Sequence, residues 1–424
     1  MKRILALAAA ACVAATLTGC GGNDGTGDGT TLTLWHNYGT YSNAAATTDL
    51  VAAFEKQNPT IHIKIVSQPQ DSYFSLLQSA ALAHEGPDLA VMWTGLYALK
   101  YEKLLVNLKG VVPDALLSAQ KSIAYTAPGF DPARGSLVMP TDTQFYIGFY
   151  NKKLFARAGI AAVPRTWDEL YAACAKLKKL GVTPLVYGNG GATGATFVPW
   201  YDASYLISAL FPPDRLSGLY DGSIPWTDPR IQAQLGKWQQ LSKRGYTNGD
   251  VATSNTNFRA FQNGEAAMIV DGSFDAARFS KSLGPDLAAF VPPFSDTPVK
   301  SVVEFAGGGF SITKTSRHRS EAAKFLEFLG TEQATGILEG NGLIPNLTGY
   351  QPRDPIARQL IGFAATGGYV RYPMLDNVIQ PEVADVGSRQ LPSVLAGNRT
   401  PSAAVTAMDQ SLRALPADRR AVLR

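Results

Sequence analysis

Three short segments near the start of the chain restrict its fold more than any other feature. Thr31-Leu32-Thr33-Leu34-Trp35 alternates with the two-residue period of a strand that buries one face. Leu50, Val51 and Phe54 then recur at helical spacing, and that stretch stops at Asn58-Pro59. Ile61, Ile63 and Ile65 alternate again. Strand, helix, strand in this order implies a parallel sheet with a crossover helix. A second helical pattern through Tyr73, Leu76, Leu77 and Leu82 ends near Gly86-Pro87, and residues 88–93 read as a buried strand. The unit returns later. Thr166-Trp167-Asp168-Glu169 has capping-box spacing, Leu170, Cys174 and Leu177 form the inward face of the helix it opens, and Gly181 stops it before a strand over 183–187. Ser320 opens another helix, with Ala323, Leu326, Phe328 and Leu329 on its apolar side, and from about Pro381 the tail reads as helices broken by Gly397 and Pro401. There is no repeat of solenoid length and no heptad pattern, so the fold class is α/β.

The N-terminus carries a separate message. Met1-Lys2-Arg3 is cationic, and Ile4–Leu17 is apolar apart from Thr16. That run is shorter than the ~20 residues a spanning helix needs, and a charged start, a short apolar core and small residues read as a secretory signal. Its end, Leu17-Thr18-Gly19-Cys20, resembles the lipobox of bacterial lipoproteins, in which the cysteine is lipidated and the signal is cut before it. An ordinary signal with an incidental cysteine is the alternative. The next ten residues, Gly21–Thr30, hold nothing able to form a core and read as a flexible tether. Asp24 and Asp28 lack the spacing and closing glutamate of a calcium loop.

Charge and cysteine content narrow the class. The chain has Cys12, Cys20 and Cys174; with the first leaving in the signal and the second acylated, no partner remains for an intrachain disulfide. Cys174, on an apolar helix face, reads as a buried, inert thiol rather than a nucleophile. The net charge is +4, half of it from Lys2 and Arg3 in the signal, which is too mild a balance for a nucleic-acid partner. The chain beyond the tether is long enough for two lobes of ordinary domain size.

In open α/β sheets, ligands bind at the loops beyond the carboxyl ends of the strands. Here those loops are aromatic and polar: Trp35-His36-Asn37-Tyr38, Met92-Trp93-Thr94, Gly188-Asn189-Gly190-Gly191 and Asp271-Gly272-Ser273-Phe274. Any one could be local packing. Together they point to a binding cleft.

At the level of whole blocks the chain resembles the extracellular solute-binding proteins of ABC importers, the carbohydrate-binding family that includes maltose-binding protein. The resemblance rests on Asn58-Pro59 before the Ile61–Val66 strand, on Gly86-Pro87-Asp88-Leu89, on Gly148–Phe155 with Ala158-Gly159-Ile160 and Pro164–Leu170, on Phe261–Met268 with Gly272-Ser273-Phe274, on Gly307–Ile312 with Glu321–Phe325, and on Leu395–Pro401 before a closing helix. It implies two hinge-linked α/β lobes with a ligand cleft between them, the type II periplasmic-binding-protein-like fold. The expected division is 1–19 signal peptide, 20–30 tether, 31–142 and 304–345 first lobe, 143–303 and 346–424 second lobe. Chain crossings are expected near Asp142–Tyr146, Val302–Phe305 and Pro345–Tyr350. The same resemblance implies a monomeric binder, with no catalytic residue, cofactor or metal, that hands ligand to the importer's permease subunits, and the lipobox at Cys20 implies a lipid anchor on the outer face of the bacterial cytoplasmic membrane.

Candidate ligand residues combine both lines of reasoning. Phe274 matches the position where the family usually stacks a tryptophan on a sugar ring, and a phenyl face can still cover the C–H face of a pyranose. Asp142 and Gln144, on the first crossing, can accept hydrogen bonds from hydroxyls. Trp35, His36, Tyr38, Asp71, Tyr73, Trp93, Trp200, Tyr201, Asp271, Gly308 and Arg371 complete the set. Asp71 could instead cap its helix, and Trp200 could be lobe packing. The expected ligand is a sugar or small oligosaccharide; the alternative is a polyol or glycerophosphodiester, which would favour Arg371 and free backbone N–H groups. A glycoside hydrolase would need two carboxylates across the cleft, for which Asp142 and Asp271 are the conceivable pair. The four histidines, His36, His62, His84 and His318, sit in no hydrolase or zinc motif. Gly188-x-Gly190 lacks the third glycine of a dinucleotide-binding loop.

Overall fold

The computed structural model describes residues 29–39, 42–70, 72–121, 135–188, 198–365 and 368–420. The signal, lipobox, Cys12, Cys20 and nearly all of the tether lie outside them, as do Asp71 and 189–191. The opening pattern folds as read. Strand β1 (Thr30–His36) runs parallel to β2 (Ile61–Ser67) in unbroken register from Thr30↔Ile61 to His36↔Ser67, with the helix Ser42–Gln57 as the crossover. Strand β3 (Leu89–Met92) lies parallel on the other side of β1. Two further strands, β4 (Met139–Pro140) and β10 (Gly309–Ile312), complete an open sheet of order β2-β1-β3-β10-β4. Leu32, Leu34, Phe54, Phe310 and Phe325 form the core beneath it.

A second open sheet is built from β5 (Thr143–Asn151), β6 (Thr183–Val186), β7 (Ala266–Gly272), β8 (Leu287–Phe290), β9 (Ser301–Ala306) and β11 (Val370–Tyr372). Its order is β11-β9-β5-β7-β6, with β8 also on β5. Its larger core gathers Phe145 and Phe149 with Trp167 and Trp238. Thr166 caps the helix Trp167–Lys179, its hydroxyl accepting from Glu169 N–H, while Glu169 reaches back to the N–H of Arg165, one residue before the cap. Leu170, Cys174 and Leu177 are buried, and burial pushes the Cys174 thiol up to about 12, so it stays a thiol. The tail helices Pro381–Leu395 and Pro401–Arg413 pack on this second lobe.

The second helical pattern forms the helix Tyr73–Leu82, with Tyr73 and Leu77 buried and Leu76 and Leu82 exposed at 38% and 83%. One sequence expectation is corrected. The crossings lie at strand ends rather than within β5 and β9, because β5 and β9 pair along Thr143↔Ala306 to Tyr146↔Val303. The chain passes between sheets at Thr141–Asp142, at Gly307–Gly308 and near Ile344–Thr348, and these segments bond to one another: Gly307 N–H to Asp142 C=O (2.8 Å), Thr143 N–H to Ile344 C=O (2.7 Å). A Cβ on Gly309, the first residue of β10, would stand 2.0 Å from Met139 C=O, backbone that cannot give way, so that position requires glycine; one on Gly307 would stand 2.4 Å from Asp142 Oδ1. No helix among the described residues is long and apolar enough to cross a membrane.

Candidate ligand-binding cleft

The carboxyl ends of β1, β2 and β3 deliver Asn37 and Tyr38, Gln70, and Trp93 and Thr94 to one side of a cavity of ≈120 Å³; Asn43, from the crossover helix, joins them. The other side comes from the second lobe: Tyr146 on β5, Tyr201 on the helix Val198–Ser208, Phe274 just after β7, and Met374 and Asp376 after β11. Between the two sides lie Gln144 and the run Phe305–Gly308, at the crossings. The site therefore sits where open α/β sheets place ligands, shared by two sheets.

The walls are aromatic. Tyr146 and Tyr201 pack with ring centroids 4.2 Å apart, and Tyr146 and Phe305 at 4.8 Å. Trp93 meets Phe74 edge to face at 5.0 Å. Phe274 is half-buried and packs against the cores of both lobes. Set into these walls are buried polar atoms with no partner: both amide atoms of Asn37, the Tyr38 hydroxyl, Gln70 Oε1 and Asp376 Oδ1. A fold does not orphan such atoms without cost, about 1–3 kcal/mol each. Burial raises the Asp376 carboxyl to about 7 and, with the nearby Asp142, drives the Tyr38 phenol upward.

Of the residues expected at the ligand, Tyr38, Trp93, Gln144, Tyr201, Phe274 and Gly308 line this cavity. The others do not. Asp142 is buried, accepting from Gln144 Nε2 (2.9 Å) and Thr141 Oγ1 (3.2 Å) and bonded to the Asn43 side chain, with its carboxyl raised to about 6 by burial. His36 is buried beside Tyr38, its Nδ1 accepting the Tyr38 N–H, and burial lowers its pKa. Trp35 packs with Leu77 and Ala90 in a small cluster on the first lobe. Tyr73 is fully buried and donates to Val91 C=O (2.7 Å), tying its helix to the sheet. Trp200 is buried in the second lobe and donates to Ser388 Oγ (2.7 Å). Asp271 is buried beside Asp275, and burial with that neighbouring charge raises its carboxyl. Arg371 points away from the cleft to Glu304 (3.1 Å), beside a separate cavity lined by Lys121 and the third crossing. The conceivable hydrolytic pair, Asp142 and Asp271, is absent from the lining. Among the described residues, no group of three or more His, Cys, Asp or Glu could hold a metal ion.

Asn43, Gln70, Tyr146, Phe305, Ala306, Gly307, Met374 and Asp376 were not anticipated. The strand-end rule that selected Trp93 reaches Gln70 equally, since it follows β2. Nothing local marks Met374 and Asp376: the strand before them has three residues, too few for a period to show.

Two open sheets whose strand-end loops converge on one shared cavity define a bilobal ligand-capture protein. The chain belongs to the bacterial extracellular solute-binding protein family, whose model matches residues 38–336. It is 24% identical over 292 residues to a multiple sugar-binding protein of Streptococcus mutans, covering 67% of this chain and 68% of the relative. A chitin oligosaccharide binding protein superposes with a TM-score of 0.77 at 21% identity, covering 91% of this chain and 98% of the other. The solute receptor AcbH, described as exclusively preferring β-D-galactopyranose, superposes at 0.78 with 18% identity, covering 91% and 99%. These likenesses agree with the expected two-lobed α/β fold.

Proposed function

We propose that the chain is the lipid-anchored capture subunit of an ABC importer, holding a sugar between its lobes and passing it to the membrane permease. The observation that carries this reading is the cavity's mixture of aromatic walls with the unpartnered polar atoms of Asn37, Tyr38, Gln70 and Asp376. Pyranoses need both features: C–H faces that cover aromatic rings and a rim of hydroxyls that donate and accept. The names of the relatives support the same ligand class. The glycerophosphodiester alternative finds no support at Arg371, which is paired with Glu304 outside the cleft. Lobe closure about the three crossings is the motion that would signal a loaded state to the permease.

A thermal-shift screen over neutral mono- and disaccharides tests the ligand class. A sugar at ~100 times its dissociation constant stabilises the fold by about 2.7 kcal/mol; no shift with any sugar refutes the reading. The anchor is tested separately. Native protein should partition into detergent with acyl chains on Cys20, and Cys20→Ala should be released or left unprocessed.

A further inference from the structure

The cavity has a charge bias that the sugar reading does not require. Among the described residues that line it, none is Lys, Arg or His, and Asp376 supplies the one carboxylate. Three cations of the surrounding elements are held in ion pairs: Lys121 and Arg371 with Glu304, Arg278 with Asp275. Asp376 is held in place from several directions. It sits in the turn Leu375–Asn377, where the Leu375 N–H is bonded to Ser204 Oγ (3.2 Å), and the Tyr146 hydroxyl hydrogen-bonds to its carboxyl. It is 6% exposed, and its Oδ1 meets no partner.

We infer that the cleft is selective by charge: it takes uncharged sugars and rejects their acidic counterparts, with Asp376 as the residue that sets this specificity. The inference rests on the carbohydrate reading of the same site. An anionic group brought into the cavity would lose its hydration without meeting a cation, and would face a buried acid that is itself short of donors. A hydroxyl in the same place supplies the donor that Oδ1 lacks. Burial, partly offset by the hydrogen bonds the group already accepts, leaves the Asp376 carboxyl raised to about 7, and a further donating hydroxyl favours the ionised form. Either form offers an acceptor to a sugar and none offers a positive charge to an acid.

The test is calorimetric titration of the intact soluble portion of the chain at pH 8, with matched probes differing in charge: glucose, glucuronate and glucose 6-phosphate; galactose, galacturonate and galactose 1-phosphate; maltose and cellobiose as longer neutral probes. On the wild-type protein the acidic member of a bound pair is expected to be weaker by about a hundredfold, the scale of an uncompensated like charge. Asp376→Asn should narrow that gap by about tenfold, while thermal melting of the unliganded variant reports whether it folds. Equal or tighter binding of the acid on the wild-type protein overturns the inference and leaves the carbohydrate reading standing. An unchanged gap in a folded Asp376→Asn overturns the role of Asp376. Failure of every neutral probe overturns the carbohydrate reading and the inference with it.

Discussion

Truncating Phe274 separates a ligand wall from a core side chain. The ring is half-buried, folds back so closely over Gly272 that a Cβ there would lie 2.1 Å from it, and touches the apolar clusters of both lobes while lining the cavity. Phe274→Ala removes an aromatic stacking surface, so ligand binding should weaken by about 1–3 kcal/mol, a rise in dissociation constant of roughly 5- to 150-fold. Stability without ligand should fall less, by about 1–2 kcal/mol, because much of the ring already meets the open cavity. Trp200→Ala is the internal control. Trp200 is 1% exposed, and its ring is so closely packed that a Cβ on Gly387 would lie 2.5 Å from it. Its truncation should cost about 3–5 kcal/mol of folding stability and leave the affinity of the surviving folded protein within about twofold. Calorimetric titration gives the affinities and thermal melts of unliganded protein give the stabilities. Unchanged affinity in Phe274→Ala, with a melting loss as large as that of Trp200→Ala, would refute the assignment of Phe274 to the cleft wall.

The same geometry predicts two further outcomes. Asp202 is fully buried under Tyr187 Oη (2.5 Å) and Trp238 Nε1 (2.7 Å), and burial raises its carboxyl to about 7; between its ordinary unfolded value and about 7 the folded state holds a proton the unfolded chain has released, so this residue's contribution falls as pH rises through that window. Melting temperatures from pH 5 to 8 should show it, and an Asp202→Asn curve parallel to the wild type would contradict it. At the lobe contact a Cβ on Gly342 would lie 2.4 Å from Ala277 Cβ, so Ala277→Leu should hold the lobes apart, enlarging the radius of gyration in solution scattering and lowering ligand affinity by about tenfold. Unaltered scattering and affinity would mean that this contact does not limit closure.

The architecture was legible in the chain because its signals are local and periodic. Alternation in 31–35 and 61–65 with a helix between them sufficed for a parallel β1–β2 pair, and Thr166 with Glu169 sufficed for a helix start. Strand-end loops rich in aromatics pointed to Tyr38, Trp93 and Phe274, because a loop has no folding reason to carry such rings. What the sequence could not decide is which of its aromatic and acidic residues share a space. Trp200 and Tyr201 are neighbours in sequence on one helix, yet successive residues on a helix point about 100° apart; one turned into the lobe core and the other into the cleft. Asp142 and Gln144 share a crossing, but only Gln144 lines the cavity, while Asp142 is buried and accepts from the Gln144 amide. Asp376 enters from the far end of the chain on a three-residue strand. Its place opposite Asn37 and Gln70 is set by the pairing of β11 with β9 and by the crossings that bring two sheets face to face. Those are contacts between residues hundreds of positions apart, and only tertiary structure decides them.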